Sequence, residues 1–395
     1  MNIQIAIENL VKYAHKLGEE RYSKTGFMAL KLDEEAYLLT RSDIELKAVK
    51  ETNINGYNMD EGKVGRLFKA RPDIDALIFL STDCSINISK KNDLIRPSLD
   101  DLAQIIGLDV KVAKNFSDEE LIGAISKRNG CYIRDEGMLA LGHSLEETFA
   151  AIRILEKSAY VELMAEGIGP IDYISKLDCY RMRRFYKNKY SKTNKNSHFK
   201  KPLYDRNEAK LRKQIVECGI TMVDEGLVQG TWGNISSRLD DRHMLVTPSG
   251  MDYHKITADD IVKVDMNTMD YTDQRKPTSE KGIHSAMLKM KPDCNAVIHT
   301  HSYECSVFAA TGKELKVDDK IKNLILGDIQ VVSHAMPGTS RLTKGVVKAM
   351  ENKNACIMAN HGVVCCGVDL KQVLNMCRDL EEVANKSIKE KNKLK

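Results

Sequence analysis

The chain is written twice, and a repeated pattern of core and turn residues has to build the same folding unit twice. Arg71-Pro-Asp-Ile-Asp-Ala-Leu-Ile-Phe79-Leu-Ser81 lines up with Lys291-Pro-Asp-Cys-Asn-Ala-Val-Ile-His299-Thr-His301. Asn129-Gly-Cys-Tyr-Ile-Arg-Asp-Glu136-Gly lines up with Asn354-Ala-Cys-Ile-Met-Ala-Asn-His361-Gly. Behind them Leu145, Arg153, Leu155, Glu156 and Ala159 match Leu370, Arg378, Leu380, Glu381 and Ala384. Nearer the front, Gly26-Phe27 to Asp33 pairs with Gly233-Asn234 to Asp240. Hydrophobic and turn residues persist in both copies, so both keep a core.

The reactive side chains do not persist. His299 faces Phe79, His301 faces Ser81, His361 faces Glu136 and Glu280 faces Asp60. Side chains alternate along a strand, so histidines at i and i+2 at a strand's end lie on one face and can reach one metal. His361 follows the apolar run Ala355-Cys-Ile-Met, and Glu280 closes Pro277-Thr-Ser-Glu280 upstream. Three imidazoles with an open fourth position describe a catalytic zinc-type site rather than a closed structural one. A lone His-x-His pair is common by chance. The order Glu280, His299, His301, His361 in strand and loop contexts makes it a site.

At 395 residues the chain suits two domains, or three. The repeat places a first domain, without metal ligands, at 1–180 and a metal-binding, catalytic one at 205–395. Residues 181–204 read as a linker: the stretch from Arg181 to Lys201 is basic, polar and nearly free of aliphatics. Its aromatics interleaved with cations would also suit a nucleic-acid patch. The net charge of only +4 argues against nucleic acid or an anionic membrane as partner. The first residues lack a basic region followed by an apolar core, so no secretory signal is expected. No apolar run nears the roughly 18 residues of a membrane helix. Ten scattered cysteines without a secretory signal suit reduced thiols in a cytoplasm. The adjacent Cys365 and Cys366 read as packing residues.

Within the second copy, helical spacing predicts helices over 208–225, closed by Gly226, over 280–290, capped by Thr278 or Ser279, and over 370–388. Residues 387–395 read as a fraying helix end. Strands are predicted at 234–238, 244–247, 295–301, 355–359 and 363–366. Strands in the middle with helices around them give a three-layer α/β/α sandwich, and the repeat gives two in tandem.

Gly230-Thr-Trp-Gly-Asn234-Ile-Ser, Thr247-Pro-Ser-Gly250, Pro277-Thr-Ser-Glu280, His299-Thr-His301 and Asn360-His361-Gly362 together resemble the class II aldolase and adducin head-domain family. That family contains fuculose-phosphate and rhamnulose-phosphate aldolases, ribulose-phosphate epimerase and methylthioribulose-phosphate dehydratase. The match covers nearly all of 205–388, and 5–165 looks like a degenerate member. The resemblance implies Zn2+, or another divalent metal, held by His299, His301 and His361. It places Glu280 where the aldolases keep an acid/base carboxylate that can also coordinate the resting metal. It matches Gly233 and Asn234, Ser249 and Gly250, and Thr278 and Ser279 to the three loops that hold the substrate phosphate. Backbone N–H groups in such turns and at a helix start do favour an anion. The same sequences also make good turns and N-caps with no ligand at all.

The implied activity is a lyase reaction: retro-aldol cleavage of a phosphorylated keto-sugar, fuculose-1-phosphate-like, through an enediolate, with Glu280 moving the proton. Glutamate at this position is more like the aldolases than the epimerases, which usually place an aspartate there. Dehydration or epimerisation in the same site, or a non-catalytic module like the adducin heads, are the competing readings. The match fails at the tyrosine that fuculose-phosphate aldolase borrows from a neighbouring subunit. Its position falls near Asp319, with no tyrosine close. His284 and His334 are either substrate or acid/base groups or ordinary packing histidines. Four-fold rings in the family imply a homo-oligomer here, a dimer of tandem chains alternating active and silent heads.

Overall fold

The computed structural model describes residues 2–19, 25–190, 204–271 and 275–393. They form two compact units. One comprises residues 1–163 and 174–186, the other 164–173 and 187–395.

The first unit holds strands β1 (Thr25–Lys31), β2 (Ala36–Thr40), β3 (Ile54–Asn58), β4 (Ala76–Ser81), β5 (Leu94–Ile95), β6 (Val110–Ala113), β7 (Gly130–Ile133) and β8 (Gly137–Gly142). Its helices are α1 (Ile3–Glu19), α2 (Gly62–Ala70), α3 (Asp83–Lys91), α4 (Asp100–Ile105), α5 (Asp118–Ile125), α6 (Leu145–Ile168), which ends beyond the unit's residue 163, and α7 (Lys176–Tyr190). The linker expected at 181–204 falls partly on α7. Residues 191–203 of it lie outside the described residues.

The second unit holds β9 (Asn234–Arg238), β10 (His243–Val246), β11 (Val262–Asp265), β12 (Ala296–Thr300), β13 (Val331–Val332), β14 (Ala355–Met358) and β15 (Gly362–Gly367). Around them run α8 (Arg206–Asp224), α9 (Lys281–Met290), α10 (Tyr303–Thr311), α11 (Asp319–Ile325), α12 (Ser340–Met350) and α13 (Leu370–Lys393). α9 and α12 pack together on one face of the sheet, and α8, α10 and α13 on the other. This is the three-layer α/β/α sandwich expected from the alternation of strands and helices. Val297, Met358, Val364 and Cys366 bury one sheet face under Ile283, Met287, Leu342 and Val346 of α9 and α12. The long C-terminal helix, read as a fraying end over 387–395, is helical to Lys393.

The two sheets share one strand order, β3-β2-β1-β4-β8-β7-β6 against β11-β10-β9-β12-β15-β14-β13, with β5 added to the first. Register is conserved as well. Phe27 sits opposite Phe79 where Asn234 sits opposite His299. The Thr40 hydroxyl accepts from Met28 N, and the Thr247 hydroxyl from Ile235 N. The β7–β8 and β14–β15 turns each carry one non-glycine residue in left-handed backbone, Asp135 at φ 61° and Asn360 at φ 60°. Asn and Asp tolerate that conformation better than most residues. A Cβ at Gly137 would run into the backbone of Leu80, and one at Gly362 into that of Thr300, so both turns need glycine there.

A glutamate anchors the long helix in each copy. Glu381 accepts from the backbone N–H groups of Glu304 and Cys305 at the start of α10. Glu156 accepts from the Thr82 hydroxyl that caps α3. Burial pushes the Glu156 carboxyl up to about 7, against hydrogen bonds from Thr82 and Cys84 that lower it. The folded chain therefore keeps a proton on Glu156 that the unfolded chain releases above pH 4.5 or so. This stabilisation is present below that pH and is lost as pH rises through about 7. Glu156→Gln should flatten the dependence and stabilise the first unit at pH 8, by up to about 3 kcal/mol. Hydrogen exchange of β4 and β8 amides at pH 5 and pH 8 measures this, and equal effects at both pH values would contradict it.

Candidate active site

The site forms at the end of β12. His299 is the penultimate residue of that strand and His301 lies just past it. His361 sits in the β14–β15 turn, whose left-handed Asn360 directs the chain back across the strand end. The three rings are buried, and one nitrogen from each falls within 4.8 Å of the others. Among the described residues no other group of three histidines, cysteines or carboxylates gathers in this way.

Glu280 completes the cluster. It is the N-cap residue of α9 and makes no side-chain cap bond, so the expected cap at Thr278 or Ser279 is corrected to Glu280. The Thr278 hydroxyl instead accepts from Glu280 N at 3.3 Å. Glu280 Oε2 lies 3.3 Å from His299 Nε2, Glu280 Oε1 lies 3.4 Å from His361 Nε2, and the two Nε2 atoms are 3.2 Å apart. A tetrahedral zinc with bonds of about 2.0–2.1 Å sets its donors about 3.3 Å apart, so these atoms fit such an ion. His299 Nδ1 lies 2.8 Å from Val363 O, and donating there leaves the Nε2 lone pair for a metal. Glu280 Oε1 is buried with no hydrogen-bond donor, as a carboxylate oxygen reserved for a cation would be. Burial pushes the Glu280 carboxyl up, but positive charge at the His299 and His361 positions and the Asn234 amide outweigh it and bring it to about 2.

The three expected phosphate loops lie side by side. Pro248 and Pro277 pair as a β-bridge, flanked by Ser249 N to Lys276 O at 2.8 Å and Thr278 N to Thr247 O at 3.1 Å. Thr247 also bonds both ways with Ile235, which fastens these loops to Gly233-Asn234. Gly233 and Gly250 have φ of 75° and 72°, and a Cβ at Gly233 would meet Val228 and His299 O. Ser279 is half-buried and Gly250 exposed. The Asn234 side chain, however, turns to the carboxylate: Nδ2 donates to Glu280 Oε2 at 2.9 Å.

His284 has a place that spacing alone did not single out. It is fully buried on α9, with Nε2 on Asn234 Oδ1 and Nδ1 2.7 Å from Ser236 Oγ. Burial pushes its ring down to about 3, so it is neutral. The signal was available: His284 is four residues from Glu280 on one helix face, and Ser236 two from Asn234 on one strand face. His334 lies in the loop between β13 and α12, outside the group of ring nitrogens.

In the first copy the same positions carry other groups. Phe27 and Phe79 stack at 5.3 Å, and Phe116 packs edge-on to Phe79. Asp60 turns outward to Lys69. The Ser81 hydroxyl donates to Glu136 O at 2.6 Å.

Metal analysis of the purified full chain should find a single divalent ion per chain. His301→Ala should lose it, since removing one of three imidazoles collapses affinity. Phe79→Ala and Glu136→Ala should leave the metal content unchanged. Retention of the ion by His301→Ala, measured by plasma mass spectrometry after dialysis against chelator, would contradict the geometry.

The family model of the class II aldolase and adducin N-terminal domain matches residues 8–163 and again 213–388. L-fuculose phosphate aldolase of Escherichia coli (strain K12) is 33% identical over 176 residues, 44% of this chain and 81% of that one. The 5-methylthioribulose-1-phosphate/5-deoxyribulose-1-phosphate aldolase of Rhodospirillum rubrum is 33% identical over 175 residues, 44% and 78% of the two chains. The 3-oxo-tetronate 4-phosphate decarboxylase of Pectobacterium atrosepticum is 29% identical over 183 residues, 45% and 83%. With both halves matched and the second carrying the histidine cluster, the chain belongs to the class II aldolase and adducin N-terminal domain family, as a tandem, metal-dependent enzyme of aldolase type.

Proposed function

We propose that the second copy is a zinc-dependent lyase that cleaves a phosphorylated keto-sugar, fuculose-1-phosphate-like, by a retro-aldol reaction. The observation that carries this reading is the tetrahedral spacing of His299, His361 and Glu280 with His301 beside them. When bound, a divalent metal there supplies Lewis-acid polarisation of the substrate's keto and hydroxyl oxygens and stabilises the charge that C–C cleavage leaves on them. His299, His301 and His361 hold it.

Retro-aldol cleavage needs one proton removed from a hydroxyl and one delivered to carbon. Glu280 is the carboxylate beside the cluster and carries the proton. Backbone N–H groups at Gly233 and Gly250 and the hydroxyls of Ser249, Thr278 and Ser279 receive the phosphate. Asn234 serves the carboxylate first. Burial of Glu280 and the three histidines strengthens the interactions at the cluster itself.

The sugar-phosphate names of the two aldolase relatives support the substrate class. The decarboxylase among the relatives supports a second reading, cleavage of a phosphorylated keto acid in the same site. Dehydration and epimerisation use the same groups. We place the enzyme in the cytoplasm, as a homo-oligomer of tandem chains. All ten cysteines are free thiols, and among the described residues no helix is long and apolar enough to cross a membrane.

Product analysis with a panel of ketose 1-phosphates tests the reading: a triose phosphate and an aldehyde are expected. Release of CO2 from a keto acid phosphate, with no ketose cleavage, would favour the second reading. Glu280→Gln should fold, retain metal and lose turnover by roughly 10²–10⁴-fold. A fully active Glu280→Gln enzyme would remove the carboxylate from the mechanism.

A further inference from the structure

Four buried side chains behind the metal cluster form one line. Ser236, on β9, meets His284 Nδ1, His284 Nε2 meets Asn234 Oδ1, and Asn234 Nδ2 meets Glu280 Oε2. Ser236 and His284 are 0% exposed, and Asn234 and Glu280 5%.

The direction of this line is fixed by chemistry. The Glu280 oxygen is an acceptor, so Asn234 presents its NH2 end and its carbonyl must face away. That carbonyl needs a donor, and the atom in place is His284 Nε2, which carries the proton. Nδ1 is then an acceptor, and the Ser236 hydroxyl donates to it. Donation runs one way, from Ser236 through His284 and Asn234 to the carboxylate. With the proton on Nδ1 instead, two acceptors would meet at Asn234 Oδ1. The amide would turn over and aim its carbonyl at the carboxylate, and a buried mismatch of this kind costs about 1–3 kcal/mol or more.

We propose that His284 and Ser236 are positioning residues, which hold the Asn234 amide with its N–H on Glu280 Oε2 so that Oε1 is left facing the imidazoles and the substrate. The inference rests on Glu280 acting as the proton carrier. It extends that reading to two residues behind the site, Ser236 and His284, which meet it only through the Asn234 side chain. Unlike the ligands, they act on the rate of proton movement and not on metal retention. The first copy shows the complement: with Phe27 in the place of Asn234 and Asp60 turned out to Lys69, it has no carboxylate there to hold.

The test joins a spectroscopic and a kinetic readout. In the full-length protein labelled with 15N-histidine, His284 should appear as the neutral Nε2–H tautomer, and Ser236→Ala should mix in the Nδ1–H form. His284→Phe and Ser236→Ala should keep the metal stoichiometry and KM for L-fuculose 1-phosphate within about three-fold. They should lower kcat by roughly 10–100-fold and about ten-fold, the range seen when outer hydrogen-bond partners are removed. His284→Gln, whose amide can donate to Asn234, should recover much of the loss. An Nδ1–H tautomer in the parent protein would overturn the proposal, even if His284→Phe failed to fold. So would an unchanged kcat in both variants. A parent protein that shows the Nε2–H tautomer but does not cleave the sugar phosphate would instead discard the aldolase reading and leave the positioning role standing.

Discussion

A buried carboxylate packed against buried imidazoles is the constraint on which the second unit is organised. Burial makes the charge on Glu280 expensive, and positive charge at the cluster together with the Asn234 amide reverses that cost. The arrangement needs β12 to deliver two histidines at its end, the β14–β15 turn to deliver the third, and α9 to start at the carboxylate. The strained Asn360 and the close approach of Gly362 to Thr300 both serve that convergence.

The first unit shows what remains when the constraint is lifted. Its sheet order, its threonine link from Thr40 to Met28, its left-handed Asp135 and its close-packed Gly137 are all retained. These features make the fold. The histidines are gone, the carboxylate position turns outward to Lys69, and phenylalanines stack at the strand ends. Apolar burial stabilises that region without a ligand, where the second unit's cluster of polar groups asks for a cation.

Much of this was legible in the residues. The duplication, the three-layer fold and the convergence of His299, His301 and His361 with Glu280 follow from strand alternation and motif order. The strand at 234–238 has the bounds that its alternation predicts. The Thr278 or Ser279 cap was not legible, because Pro277-Thr-Ser-Glu is an N-cap sequence, whereas α9 starts after Glu280. The role of Asn234 was blurred for a similar reason. Its place in a glycine-rich turn suggested phosphate, while its side chain is claimed by a carboxylate distant in sequence. His284 and Ser236 could be placed on the correct faces but not joined, since that needed the packing of α9 against β9.

X-ray absorption at the zinc edge on the full chain tests the central claim most directly, because ten free cysteines offer the ion an alternative home. The expected spectrum has only nitrogen and oxygen neighbours at about 2.0–2.1 Å with multiple scattering from three imidazoles. A sulfur shell at about 2.3 Å would place the ion elsewhere and contradict the assignment of His299, His301 and His361 as its ligands.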